Sequence, residues 1–90
     1  MNIVHSPFPA LRRMDVDIGE MQRYIQKAFE EEFGVGSVGK VHVSWNNPDM
    51  MDVAVYMTVK RGGMWDTCLL VAEELQHWGI RAALRPEYPA

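Results

Sequence analysis

The sequence predicts an α+β fold: a two-layer sandwich in the order α-β-β-α-β, with a three-stranded sheet and two helices packed on one face. Three observations predict it. Apolar residues recur at helical spacing from Ile18 to Phe33 and again from Trp65 to Leu75. Three runs alternate apolar with polar residues: Lys40 to Asn46, Asp52 to Lys60, and Ile80 to Arg85. Each segment is apolar on one side only, so the simplest packing lays both helices on the same side of one sheet.

The chain has 90 residues, which suits a single domain. A chain this short buries only about 60–65% of its unfolded surface, so a deep enclosed active site is hard to build. Apolar residues make up 48% and charged residues 23%, the balance of a globular protein. The net charge of −3 excludes a body that is basic throughout, but not a local basic face. Cys68 is the sole cysteine, so no intrachain disulfide can form, and an unstapled small domain suits a reducing compartment. No apolar run fits a signal peptide or a membrane span. Together these features imply a cytoplasmic protein, and its size suggests bacterial or phage origin.

Residues 1–14 read as an extended arm before a domain over residues 15–90. Pro7 and Pro9 force extended backbone there. Ile3, Val4, Phe8 and Leu11 are apolar enough to pack on the domain, on a partner or along a sheet edge. Asp17 is placed to cap the first helix, with Glu20 closing a capping box and Val16 and Met21 forming a staple. The stripe Ile18, Met21, Ile25, Ala28 and Phe29 follows, and Gly34 ends the helix. Glu30, Glu31 and Glu32 oppose the helix dipole at that end, which invites a positive neighbour.

In the first strand Val41, Val43 and Trp45 face inward, opposite Lys40, His42, Ser44 and Asn46. Asn46-Asn47-Pro48-Asp49 supplies a turn. The second strand sets Val53, Val55, Met57 and Val59 inward, against Ala54, Tyr56, Thr58 and Lys60. These two runs predict a hairpin. Arg61-Gly62-Gly63 breaks the strand before a second helix from Met64 to Trp78, whose expected stripe is Trp65, Cys68, Leu69, Ala72 and Leu75. Gly79 and Ile80 fit a Schellman ending against Leu75. A last strand turns Ile80, Ala82 and Leu84 inward and Arg81, Ala83 and Arg85 outward, with Pro86 ending it. The crossover through the second helix makes the second and third strands parallel. Sheet orders 2-1-3 and 1-2-3 both satisfy this; 2-1-3 is preferred because every neighbour is then antiparallel.

This arrangement leaves one sheet face uncovered. Lys40, His42, Tyr56, Lys60, Arg81 and Arg85 fall on it, and no acid is expected there. The helices are acidic by contrast: Asp15, Asp17, Glu20, Glu30, Glu31 and Glu32 outnumber Arg23 and Lys27 in the first, and Asp66, Glu73 and Glu74 meet no Lys or Arg in the second.

No catalytic site emerges. His77 lies nine residues beyond Cys68, about 900° around the same helix, so the two side chains point apart. His5, His42 and His77 share no ligand spacing, and no metal or other cofactor is expected. Asp49 and Asp52 flank Met50-Met51 in the expected hairpin loop, where turn chemistry accounts for them. Arg61-Gly62-Gly63 lacks a full phosphate-loop pattern. Phe8, Leu11, Met50 and Met51 are the candidate contact residues of the arm and loop, because exposed Met and aromatics suit interfaces.

The reading that follows is a small non-enzymatic protein-interaction module, an accessory, adaptor or inhibitor protein. A protein partner or self-association as a homodimer is expected, and no small-molecule substrate. The alternative is an RNA-binding domain that uses the open basic face. The element order is similar to that of KH-like ribosome-maturation folds, which would imply RNA. The GxxG loop between helices that marks KH domains is absent, as are the paired aromatics of RNA-recognition motifs, and no family is assigned.

Overall fold

The computed structural model describes residues 17–47 and 49–89, with the side chains of Asn46 and Asn47 outside that description. The expected arm over residues 1–14, with Phe8 and Leu11, lies outside the described residues, as does Val16 of the expected staple. The elements are α1 (Ile18–Phe33), β1 (Val38–Asn47), β2 (Met50–Met57), α2 (Met64–His77) and β3 (Ala82–Glu87).

α1 begins where the Asp17 carboxylate accepts the Glu20 backbone N–H at 3.1 Å. The return half of the box is not made: Glu20 Oε1 is buried without a hydrogen-bond partner among the described residues. Met21, Ile25, Phe29 and Phe33 recur every four residues and are buried against the sheet. Gly34 closes the helix with a φ of 105°, backbone that favours glycine. Arg61 Nη1 donates to the Phe33 carbonyl at 3.1 Å. The positive group wanted at this acidic helix end therefore comes from the link between β2 and α2.

β1 and β2 form the expected antiparallel hairpin, with Val41 opposite Val55 and His42 opposite Ala54. β3 runs parallel to β2, with Leu84 opposite Val53. The sheet order is β1-β2-β3. That corrects the preferred 2-1-3 order and makes the sheet mixed. Burial explains the choice: Met51, Val53 and Val55 are fully buried on one side of β2, and Ala54 is only 3% exposed on the other. A strand apolar on both sides belongs at the centre, whereas β1 carries Lys40, His42 and Ser44 on one side.

α2 ends in the expected Schellman motif. Gly79, with a φ of 88°, donates to the Gln76 carbonyl at 2.9 Å, and Ile80 N–H reaches the Leu75 carbonyl at 2.9 Å. Its buried stripe differs from expectation. Met64, Thr67, Cys68, Val71 and Leu75 face the core, while Trp65 and Leu69 are exposed. The helix is turned by nearly one residue's step of about 100° from the most apolar orientation. Two further expectations change. Met51 is core at the start of β2 rather than a loop contact. Pro86 lies inside β3 rather than after it. The core between sheet and helices is built on Phe29, Met21, Ile25, Met64, Leu75 and the β2 side chains; each large side chain so buried contributes about 1.5–3 kcal/mol.

Candidate interaction surfaces

The strand register assembles the open face row by row. Lys40, Tyr56 and Glu87 form one row; His42, Ala54 and Arg85 the next; Ser44, Asp52 and Ala83 the third. Lys40 Nζ stands 5.0 Å from the Tyr56 ring centroid, a cation–π distance. Arg85 Nε donates to Glu87 Oε2 at 2.7 Å, and this bond holds the guanidinium more firmly protonated than usual.

The expected acid-free basic face is thereby corrected. Asp52 and Glu87 stand beside Lys40 and Arg85 on the same side of the sheet. Asp52 belongs inside β2, which begins at Met50, and β3 extends to Glu87. Lys60 and Arg81 leave the ladder. Lys60 follows β2 and lies 5.4 Å over the Tyr88 ring. Arg81 directly precedes β3, and its carbonyl accepts the Met51 N–H at 3.0 Å. His42 remains exposed on the face, opposite Ala54. Of the six expected residues, the register groups Lys40, His42, Tyr56 and Arg85.

The helical layer presents a second kind of surface. Trp65 is 57% exposed, Leu69 64% and Leu70 59%. They divide between two flanks. Leu70 lines a cleft of about 470 Å³ between α1 and α2, with Tyr24, Lys27, Ala28, Glu31 and Glu74. Tyr24 Oη donates to Glu74 Oε1 across it at 2.8 Å. Burial, then the Glu74 carboxylate, pushes the Tyr24 phenol up to about 12. On the opposite flank, Leu69, Ala72 and Gln76 border a hollow with Met50, Arg81 and Ala82. Trp65 and Leu69 fit the expected stripe on hydrophobicity alone, which does not distinguish an inward from an outward apolar residue.

The chemistry available elsewhere is slight. Cys68 is 1% exposed, and burial pushes its thiol up to about 11, which suppresses the nucleophilic thiolate. His77 stacks edge-on to Trp78 with centroids 5.3 Å apart. Among the described residues, no three His, Cys, Asp or Glu side chains are grouped to hold a metal ion, and no helix is long and apolar enough to cross a membrane. No protein-family model matches the chain, and neither curated proteins nor solved structures offer a match.

Proposed function

We propose that this chain is a small, cytoplasmic, non-enzymatic protein-interaction module that acts by binding another polypeptide. One observation carries the reading: α2 buries Met64, Thr67, Cys68, Val71 and Leu75 yet leaves Trp65, Leu69 and Leu70 outside. Retaining three large apolar side chains in water is unfavourable to solubility, and a partner surface is the ordinary reason for it. The test is the mass of the native complex. The chain is expected to migrate above its own 10.3 kDa and to lose that association in Trp65→Ser with Leu69→Ser and Leu70→Ser. A chain that stays at its own mass in native extract and at high concentration would overturn the reading.

RNA binding is the second reading. Its support is Tyr56, 39% exposed and flanked on the open face by Lys40 and Arg85. Asp52 and Glu87 oppose it by cancelling those two charges. Polarisation of labelled RNA at low salt decides the matter: binding lost in Lys40→Glu with Arg85→Glu and falling steeply with salt supports it, and no signal removes it.

A further inference from the structure

We propose that the partner is a second copy of this chain, docked antiparallel along the outer edge of β3 and the adjoining flank of α2. The proposal rests on the interaction reading above and names its partner.

The backbone sets the register. Because the Arg81 carbonyl accepts from Met51, the backbone groups of Arg81, Ala83, Arg85 and Glu87 turn towards β2. Those of Ala82, Leu84 and Pro86 then turn outward. Among the described residues, the outer edge therefore offers two N–H groups and three carbonyls; Pro86 has no N–H to give. Such an edge is a template for another strand. The β1 edge is better protected, since Gln22 Nε2 donates to the Val41 carbonyl at 2.9 Å.

Two copies of β3 can pair about a two-fold axis at Leu84. Leu84 exchanges both hydrogen bonds with the partner's Leu84. Ala82 N–H meets the partner's Pro86 carbonyl, and the mirror bond forms across the axis. Only the two bonds that need a proline N–H are missing, so Pro86 does not forbid this register. Arg81, just before β3, falls opposite the partner's Glu87, twice. Each Arg85 near the axis keeps its own Glu87 at 2.7 Å, which limits repulsion between the two guanidiniums. On the helix side lie Leu84, Ala82 and Pro86, all apolar, with Leu84 and Pro86 already buried in their own protomer and Ala82 half-buried. One strand thus carries a self-complementary pattern, which is what an isologous interface requires.

The helix flank agrees with the same axis. Ala82 borders the hollow whose α2 wall runs from Gln76 through Glu73 and Ala72 to Leu69, and α2 runs opposite to β3. Moving two residues along the strand to Leu84 advances about 6.6 Å, the rise of about four helical residues. That brings Leu69 level with the axis, where it meets the partner's Leu69, and sets Trp65 over the partner's α2. The two most apolar exposed residues of this flank are buried by the same operation that satisfies the strand edge.

The experiment exploits two adjacent leucines on opposite flanks. Leu69→Cys and Leu70→Cys are made in the full chain, with the buried Cys68 left in place. The unmodified chain should sediment at twice 10.3 kDa. Under mild oxidation Leu69→Cys should cross-link at least about tenfold faster than Leu70→Cys, because the axis holds the two thiols at high effective concentration. Leu69→Glu should give a folded monomer that melts with the unmodified chain diluted to its monomer, below the melt of the dimer. Arg81→Glu, which sets like charges opposite each other, should weaken the dimer about three- to tenfold. A chain at its own mass up to the highest soluble concentration overturns the proposal. So does a dimer whose two cysteine variants cross-link at equal rates, which would leave the interaction reading standing on another surface. A monomer that instead binds a different protein through Trp65 and Leu69 rejects the second copy but keeps the interaction reading. A monomer whose Ala82 and Leu84 amides resist hydrogen exchange overturns it in favour of the chain's own residues 1–16.

Discussion

α1 and α2 lie side by side on the same sheet face, yet they place their apolar residues differently. α1 buries Met21, Ile25, Phe29 and Phe33 on one line, and no large apolar residue of α1 is among those exposed. α2 buries Thr67, Cys68 and Val71 while Trp65, Leu69 and Leu70 remain outside. The sheet beneath them shows the same asymmetry: on the α1 side an edge carbonyl is bonded by Gln22, and on the α2 side Pro86 is the main guard. The difference teaches that α1 serves the core alone. α2 buries Met64 and Leu75 with one face and leaves Trp65, Leu69 and Leu70 exposed on its flanks.

The comparison can be broken first at α1. Phe29→Ala removes a fully buried ring and should cost about 3–5 kcal/mol, measured by urea unfolding. A loss under about 1 kcal/mol would mean that α1 is not the core helix described here. The inner face of α2 gives the next largest effect. The Cys68 thiol is held up at about 11, whereas it titrates near 8.5 when unfolded. Its neutral form is therefore favoured by folding. The associated stability, on the order of 3 kcal/mol, is fully present below pH of about 8.5 and is lost as pH rises towards 11. Cys68→Ala should flatten that part of the pH–stability curve, and a thiol reagent should react with the native chain only as it unfolds.

The helix ends sharpen the comparison further. Gly79 holds a φ of 88°, so Gly79→Ala should lower stability by about 1–2 kcal/mol, seen as a lower Tm. Asp17→Ala removes the α1 cap bond and should cost about 1 kcal/mol. The smallest effect belongs to the outer flank of α2. Trp65→Ser should change the stability of the isolated monomer by less than about 0.5 kcal/mol while weakening association. A large loss of monomer stability would show that Trp65 serves the core after all.

Much of this molecule is legible in its residues. The element order, the α1 cap at Asp17, the hairpin, the parallel crossover and the Schellman ending at Gly79 are all local matters. They depend on spacing, turn chemistry and backbone preference within a few residues, and those are written in the chain. Four of the six residues expected on the open face do lie together there: Lys40, His42, Tyr56 and Arg85. Lys60 and Arg81 do not, because alternation carries no mark of where a strand stops.

What the tertiary structure decided is of another kind. Strand order depended on which strand could be buried on both sides, and Ala54 between Val53 and Val55 was the faint signal for β2. Asp52 and Glu87 joined the open face because β2 begins before the former and β3 runs on to the latter. α2 turns Met64, Thr67, Cys68, Val71 and Leu75 to the core, so Trp65 and Leu69 came outside. Periodicity along one chain records that a residue is apolar. Only the assembled layers determine whether it meets its own core or faces outward.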